Sequence, residues 1–167
     1  MLDLDREIQN FLFNRKRHLY TNHYEKYRLK FLYDLFRKYI TKTKENKEKA
    51  KILDVGVDIG EIIKLISSIT TNTDNLLIGL DINNLRLKCA KINLNGKSNI
   101  ALVRGEATKL PFNNSFFDFV ICLELIEHLN KKYHMLFLRE IQRVAKEKAI
   151  IIISTPNLYS IPAFESN

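Results

Sequence analysis

Lys51-Ile-Leu-Asp-Val-Gly-Val-Asp-Ile-Gly60 is the stretch of this sequence from which the fold can be predicted. Its residues 52–55 predict a short buried strand, and residues 56–60 predict a tight glycine turn. Residues 61–69 carry Ile and Leu at helical spacing and predict a helix. A strand, a glycine turn and a helix in this order place free backbone N–H groups beside the carboxyl end of the strand. Open α/β sheets bind their ligands there, so the stretch predicts a ligand site.

The rest of the chain repeats the alternation of strands and helices. Two N-terminal helices are predicted over residues 4–19 and 22–40. Further strands are predicted over 76–80, 99–103, 116–123 and 149–154, with helices over 84–94 and 131–144. Five strands that alternate with helices predict an α/β fold, with a Rossmann-like, doubly wound and mostly parallel sheet in the strand order 3-2-1-4-5.

Each predicted helix has an apolar stripe that we expect to face the sheet. The expected inward residues are Tyr24, Tyr27, Phe31, Leu35, Phe36 and Tyr39, then Ile62, Leu65, Ile66 and Ile69, then Leu85, Cys89 and Ile92, and finally Tyr133, Phe137, Ile141 and Val144. A row of tyrosines with interleaved cations can also stack nucleic-acid bases. At helical spacing such a row is more often core, and we expect core packing here.

Charge is unevenly distributed along the 167 residues, whose formal net charge is +8. Residues 1–50 contain 13 Lys and Arg against 7 Asp and Glu, whereas residues 51–167 contain 14 against 12. The basic N-terminal region could face nucleic acid, anionic lipid or a phosphorylated substrate, although a solvated helical face is the preferred interpretation. We expect residues 1–47 to form an N-terminal helical cap and residues 48–167 to form the ligand-binding domain.

Composition indicates a cytoplasmic protein. No apolar run approaches the ~20 residues that span a bilayer, and the acidic N-terminus lacks the apolar region of a signal peptide. Cys89 and Cys122 lie far apart in apolar patterns and are expected to be reduced core thiols. The histidines show no metal-ligand spacing with cysteines or acids, so no metal site is predicted.

Four carboxylates lie at or just past the ends of the first four predicted strands, and they are Asp54, Asp81, Glu106 and Glu124. Because the carboxyl ends of parallel strands meet at one edge of a sheet, we expect these side chains to line one site. A single such acid could be a helix N-cap, but four in register favour ligand binding. An acid after the second strand suits a ribose, since a carboxylate can accept hydrogen bonds from both hydroxyls.

The glycine spacing narrows the class of ligand. Gly56-x-Asp58-x-Gly60 is not G-x-G-x-x-G, which argues against NAD or FAD, and the absence of G-x-x-x-x-G-K-[ST] argues against a nucleotide triphosphatase. Over roughly residues 50–157 the chain instead resembles the class I S-adenosylmethionine-dependent methyltransferases, and most closely the group that methylates small molecules, quinones, lipids and sugars. Motifs that recur there in the same order are Ile52-Leu-Asp-Val-Gly-Val-Asp-Ile-Gly60, Gly79-Leu-Asp-Ile82, Gly105-Glu-Ala-Thr-Lys-Leu-Pro-Phe112, Ser115-Phe-Phe-Asp118, Leu125-Ile-Glu-His-Leu129 and Ile153-Ser-Thr-Pro-Asn157.

The resemblance implies a site for S-adenosylmethionine built from the residues of these motifs. The methionine part would lie on Asp54, Gly56 and Gly60 with Glu124, the ribose hydroxyls on Asp81, and the adenine on Ile82, Glu106 and Ala107. Asp58 stands where the family usually has glycine, so its carboxylate would also meet the cofactor. Chemistry in this family is mostly positioning, and no catalytic residue is assigned. His128 could be a general base or a substrate contact, but local packing at a helix start is the preferred interpretation.

The function implied by the resemblance is methyl transfer from S-adenosylmethionine to a small molecule, a lipid or a sugar. Two alternatives stay open on the sequence alone. One is an RNA methyltransferase that uses the basic helices within residues 1–50. The other is a non-catalytic cofactor-binding remnant, because Asp58 departs from the family and the chain stops just past the fifth strand, where the family fold usually continues through two more strands.

Overall fold

The sheet has the predicted topology. The computed structural model describes residues 30–39, 49–69, 75–95 and 97–156. Its strands are β1 (Lys51–Val55), β2 (Leu76–Asp81), β3 (Ile100–Arg104), β4 (Phe117–Leu123) and β5 (Ala145–Ser154). They form one sheet in the order β3-β2-β1-β4-β5, and every neighbouring pair is parallel. The predicted α/β class and the predicted strand order are therefore confirmed.

Helices connect the strands except β3 and β4, which a loop over residues 105–116 joins. In the described residues the helices are α1 (30–39), α2 (Glu61–Ile69), α3 (Asn84–Asn93) and α4 (His134–Val144), with 3-10 turns at Ile126–His128 and Lys131–Tyr133. The predicted helix over 4–19 and the first part of the predicted helix over 22–40 lie outside the described residues. Asn83 begins α3, because its Oδ1 accepts hydrogen bonds from the backbone N–H groups of Leu85 and Arg86 at 2.9 and 3.3 Å. This cap satisfies donors that a helix start leaves open.

The parallel register brings the carboxyl ends of the inner strands to one level. Asp54 of β1 lies opposite Gly79 of β2 and Ile121 of β4. Asp81, two residues beyond Gly79, lies opposite Arg104 at the end of β3. The turns that follow these strands therefore share one edge of the sheet, as predicted for the acids they carry.

The core lies in two layers, one on each face of the sheet. One layer joins α1, α2 and α3 to the sheet and contains the fully buried Phe36, Ile52 and Phe119. The ring of Phe119 contacts Phe36 and Tyr39, with ring centroids 4.8 and 4.2 Å apart. The other layer joins α4 to the sheet through residues such as Phe137. Because successive strand residues point to opposite faces, this is the packing expected of a doubly wound fold.

Several predicted helix faces are confirmed and others are wrong. Buried as predicted are Phe36, Ile66, Cys89, Phe137, Ile141 and Val144, and half-buried are Leu35, Tyr39, Ile62, Leu65, Ile69 and Leu85. Phe31 of α1, Ile92 of α3 and Tyr133 before α4 are exposed instead. Leu32, next to Phe31, and Ile63, next to Ile62, are buried although they were not predicted to face the sheet. Adjacent apolar residues fit two helical phases, and only the packing on the sheet decides between them. Tyr24 and Tyr27 lie outside the described residues.

The predicted division of the chain stays a prediction, because the boundary between residues 47 and 48 lies outside the described residues. The part of the predicted cap that is described packs directly on the sheet. Leu32 and Phe36 of α1 belong to the same buried cluster as Ile52 of β1. Core packing is therefore confirmed for Phe36 of the second N-terminal helix, and Leu32 joins the core although it was not predicted to do so.

The strand β5 begins earlier than the predicted residues 149–154. It starts at Ala145, directly after α4, and residues 131–133 form a 3-10 turn before that helix. The Nζ atom of Lys146 lies 2.6 Å from Oδ1 of Asp118 on β4, and the register of the two strands shifts at this place. The charged start of β5, which composition alone assigns to a loop, thus carries a cross-strand ion pair to β4.

Three further observations concern cysteines, membranes and metals. Cys89 and Cys122 are both buried and free, as predicted. Within the described ranges, every helix falls short of the length or the hydrophobicity that a bilayer crossing requires. The same ranges contain no group of three or more His, Cys, Asp or Glu side chains placed to hold a metal ion.

Candidate functional site

A cleft of about 660 Å³ opens at the carboxyl edge of the sheet. Eight of the nine predicted cofactor residues line it, namely Asp54, Gly56, Asp58, Asp81, Ile82, Glu106, Ala107 and Glu124. Gly60 is not among the lining residues. Glu61 at the start of α2 also lines the cleft, so that six carboxylates lie in its wall. Arg86 is the one Lys or Arg among the described lining residues. The cleft is therefore acidic in a protein whose net charge is +8.

The glycine turn is held closely by its neighbours. The backbone N–H groups of Gly56 and Val57 both donate to the carbonyl oxygen of Leu80, at 2.8 and 2.9 Å. Gly56 has φ +82°, and a Cβ there would lie 3.3 Å from the side chain of Leu125. This backbone conformation strains other residues, so the turn requires glycine at position 56.

Gly60 shapes the turn from behind the cleft. It also has φ +82°, and a Cβ there would lie 2.9 Å from the side chain of Leu94, which follows α3. Glycine therefore lets the end of the turn approach α3 closely. Its predicted contact with the cofactor stays a prediction.

Asp54 is a buried acid with an unsatisfied oxygen. Its side chain lies at the end of β1, it is 3% exposed, and its Oδ2 atom has no hydrogen-bond partner among the described residues. Burial, and then the nearby charges of Asp58 and Asp81, raise the pKa of Asp54 from 3.8 to about 7. Few buried polar atoms in proteins lack a partner, so this oxygen marks a place where a ligand can donate a hydrogen bond.

Asp81 is fixed by the backbone on both sides of it. The N–H of Asn83 donates to Oδ1 at 2.8 Å, and the N–H of Asp58 donates to Oδ2 at 3.0 Å. Each carboxylate oxygen can accept more than one hydrogen bond, so Asp81 keeps capacity for ligand hydroxyls. The two backbone bonds orient it before any ligand arrives.

The glycine turn and α3 are joined by an ion pair that the sequence did not predict. Asp58 adopts the left-handed backbone, with φ 52°, and its Oδ1 lies 3.4 Å from Nη1 of Arg86. Asp tolerates this region better than most residues do. The partnership depends on how α3 approaches the turn, and no spacing in the sequence reports that approach.

The opposite wall of the cleft follows β4. Glu124 has φ 51° and accepts a hydrogen bond of 2.7 Å from the hydroxyl of Ser154 at the end of β5. Its own N–H donates to the carbonyl oxygen of Ser154 at 3.0 Å. Leu125, Leu129 and the exposed residues His128 and Tyr133 complete this wall. Leu125, Leu129 and Tyr133 were not predicted as site residues, because an apolar residue near a strand end has no distinctive signature.

Arg143 of α4 holds the loop that carries Glu106 and Ala107 by hydrogen bonds to its backbone. Arg143 donates to the carbonyl oxygens of Leu110 and Phe112 at 2.9 and 2.8 Å, and to both carboxylate oxygens of Glu140 at 2.7 Å. The hydrogen bond from Arg143 lowers the pKa of Glu140. These hydrogen bonds fix the base of the loop and so support the two residues that line the cleft.

The charge of Asp54 predicts how stability depends on pH. Its folded pKa lies above the unfolded value, so the fold favours the protonated acid and this contribution is lost as pH rises from about 4 to 7. Asp54→Asn should therefore raise the free energy of unfolding of the ligand-free protein at pH 8 by roughly 4 kcal/mol, with little change at pH 4. Urea unfolding at the two pH values measures it, and an equal effect at both would contradict the assignment.

The donors and acceptors of the cleft fit the cofactor that the resemblance implies. The unpartnered oxygen of Asp54 suits an ammonium group, and the prealigned carboxylate of Asp81 suits ribose hydroxyls. Ile82, which is 60% exposed, offers an apolar surface beside them. The roles of the individual residues remain predictions, but none of the described contacts opposes them.

Comparisons with known proteins agree with this fold. A family model described as "Methyltransferase domain" matches residues 53–153. A protein from Methanocaldococcus jannaschii named only as uncharacterized is 37% identical over 119 residues, which are 71% of this chain and 41% of that protein. The demethylmenaquinone methyltransferase of Staphylococcus carnosus is 28% identical over 131 residues, which are 78% of this chain and 53% of that protein.

Solved structures show the same architecture. The PH0226 protein from Pyrococcus horikoshii OT3 superposes with a TM-score of 0.63 at 25% identity, and the match covers 80% of this chain and 58% of that one. A SAM-dependent methyltransferase from Aquifex aeolicus superposes with a TM-score of 0.56 at 24% identity, over 67% of this chain and 61% of that one.

The matches cover most of this chain but only part of its relatives. The chain spans about half the length of the curated relatives it matches. The family model nevertheless covers more than half of this chain, including β1, the glycine turn and the ends of β2 to β4. The resemblance predicted from the motifs is thus confirmed, and the chain belongs to the S-adenosylmethionine-dependent methyltransferase family.

Proposed function

We propose that this chain binds S-adenosylmethionine in the cleft and forms the cofactor-binding part of an enzyme that methylates a small molecule, a lipid or a sugar. The observation that carries the proposal is the Oδ2 atom of Asp54, a buried acceptor without a partner among the described residues. It lies in the wall of a cleft of about 660 Å³, a volume typical of small-molecule sites. The α-ammonium group of the cofactor is the kind of donor this oxygen lacks.

The residues of the chain would act by binding and orienting. S-adenosylmethionine, when bound, supplies a methyl group on a positively charged sulfur, and its transfer needs alignment with the acceptor more than it needs acid or base catalysis. Asp81 would accept hydrogen bonds from the ribose hydroxyls, and Glu106 from the adenine amino group. Gly56 leaves room for the ligand beside the turn, and Glu124 bounds the opposite wall.

The wall that follows β4 favours an acceptor with an apolar part. Leu125, Leu129 and Tyr133 line it, and His128 lies exposed on the same wall. Apolar side chains suit a ring or an alkyl chain, whereas an imidazole can accept a proton from a hydroxyl group. The relative from Staphylococcus carnosus is named for a quinone substrate, which supports a quinol-like acceptor. We therefore propose His128 as an acceptor contact.

Calorimetry with S-adenosylmethionine tests the cofactor. The expected dissociation constant is micromolar to sub-millimolar, about −5 to −8 kcal/mol. NAD and ATP serve as controls at the same concentration and should give no heat of binding, because the turn has neither nucleotide-binding glycine pattern. A protein that is folded by circular dichroism and binds no S-adenosylmethionine would contradict the proposal.

Transfer of a radiolabelled methyl group then tests the acceptor. Label recovered in a hydrophobic quinol, a lipid or a sugar supports the proposal, whereas salt-sensitive label in RNA would support the alternative that uses residues 1–50. Cofactor binding without transfer to any of these classes by the intact protein would support a binding remnant. The RNA alternative rests on the uneven charge, with 13 Lys and Arg in residues 1–50.

A further inference from the structure

The ion pair between Asp58 and Arg86 lies in the wall of the same cleft. The Oδ1 atom of Asp58 is 3.4 Å from Nη1 of Arg86, and the two side chains are 16% and 45% exposed. Both residues line the cleft. Asp58 therefore adds a carboxylate to a wall that already holds Asp54 and Asp81, and Arg86 supplies the guanidinium that balances it.

The charge of Asp58 acts on Asp54 in particular. The carboxylates of Asp58 and Asp81 both raise the pKa of Asp54, and the contribution of Asp58 is the larger one after burial itself. Like charges that share a site disfavour ionisation of one another. An ammonium ligand needs the ionised form of Asp54, so anything that opposes its ionisation weakens binding.

Other ionisable groups line the same cleft or act on Asp54 electrostatically. They are Asp58 and Glu61 on the glycine turn and α2, Asp81 after β2, Arg86 on α3, Cys122 and Glu124 on β4 and after it, and His128 in the following 3-10 turn. Burial, and then the charge of Asp54, raise the pKa of the Cys122 thiol, so this thiol stays neutral and adds no charge. The guanidinium of Arg86 is the one permanent positive charge in this set.

We propose that Arg86 is a positioning residue for the cofactor, because its pairing with Asp58 offsets the extra carboxylate and keeps Asp54 available as a charged acceptor for the cofactor's ammonium group. This inference rests on the proposed function. The family usually has glycine at position 58, and Arg86 compensates the charge that Asp58 introduces there. Asp58 then marks an altered but working site, and the remnant hypothesis loses support.

A double-mutant cycle on the intact protein tests the pairing. The variants are Arg86→Ala, Asp58→Asn and the combination, with binding of S-adenosylmethionine measured by calorimetry between pH 6 and pH 9. Asparagine keeps the size of the side chain and tolerates the left-handed backbone at position 58, so it removes only the charge. Arg86→Ala should weaken binding at pH 7 roughly three- to tenfold and shift the rise of affinity to higher pH.

The combination decides whether Arg86 acts through Asp58. In the Asp58→Asn background, removal of Arg86 should change affinity less than twofold. The affinity of both variants that carry Asp58→Asn should begin to rise at lower pH than that of the wild type, because the charge that opposes ionisation of Asp54 is gone. Arg86→Lys should retain most of the affinity, because it keeps the positive charge. An equal loss in both backgrounds would overturn the proposal, since Arg86 would then act on the ligand or on the fold directly.

Two controls separate this role from a structural one. Lys88→Ala removes one positive charge from the same helix outside the cleft and should leave affinity unchanged. Methylthioadenosine contains the adenosine part without the ammonium group, and its binding should be insensitive to Arg86→Ala. Equal weakening of methylthioadenosine would overturn the proposal. If the wild type binds no S-adenosylmethionine at any pH in this range, the proposed function is wrong, and the role of Arg86 that rests on it is wrong as well.

Discussion

Asp81→Ala should weaken the binding of S-adenosylmethionine by roughly 10- to 100-fold. Hydrogen bonds to a charged group contribute roughly 1.5–3 kcal/mol each, and this carboxylate is the proposed acceptor for the ribose. The substitution also leaves the N–H groups of Asp58 and Asn83 without their acceptor, so the glycine turn keeps only its backbone hydrogen bonds to Leu80 of β2. Calorimetry measures the affinity, and urea unfolding measures the accompanying loss of stability.

Asp118→Ala is the matched control for Asp81→Ala. Asp118 is also a partly buried carboxylate that accepts a backbone N–H, that of Lys51 at 2.9 Å, but it lies outside the cleft. We expect the control to lower stability and to leave cofactor affinity within twofold of the wild type. If both variants lose affinity equally, the effect of Asp81 is structural and its role as a ribose acceptor is wrong.

Phe119→Ala should lower the free energy of unfolding by roughly 3–5 kcal/mol. Phe119 is fully buried in the middle of β4, next to β1, and its ring contacts Phe36 and Tyr39 of α1. Alanine would leave a cavity exactly where α1 meets the sheet. Because whole domains are stable by only about 5–15 kcal/mol, the milder Phe119→Leu should accompany it in urea titrations.

The controls for Phe119 lie on the helix that it holds. Phe31→Ala removes a ring that is 62% exposed and should change stability by less than about 0.5 kcal/mol. Phe36→Ala should be non-additive with Phe119→Ala, because the two rings touch. A loss below about 1 kcal/mol for Phe119→Ala would mean that α1 does not depend on this contact.

The sequence was sufficient for the topology because its signals are local and repeated. Each predicted strand is a short, mostly apolar run with an acid or a turn at its end, and parallel pairing follows from the helices that separate most of the runs. The cleft was predictable for the same reason, since the register aligns strand ends that the sequence already marks. The four acids at the strand ends were predicted from this pattern, and the resemblance to the methyltransferases added residues such as Ile82 and Ala107, which line the same cleft.

Contacts between elements that are distant in the sequence could not be predicted. Arg86 and Asp58 lie 28 positions apart and meet because the start of α3 turns towards the glycine turn. β5 begins in a charged segment, at Ala145, and Lys146 in that segment pairs with Asp118 of β4. The face of α2 was ambiguous because Ile62 and Ile63 fit alternative helical phases. Each of these outcomes depends on the three-dimensional approach of two segments, which local patterns do not encode.

The excess of carboxylates around the cleft also bears on how ligands arrive. Six acids and one guanidinium line its described wall, while the chain as a whole carries +8. Such a separation of charge produces a field that attracts a net cation towards the opening and repels polyanions, with a range of about 8 Å at physiological ionic strength. Adenine nucleotides such as ATP share the adenosine part of S-adenosylmethionine but carry several negative charges. Their exclusion would begin during diffusional encounter, before any atom of the turn is touched.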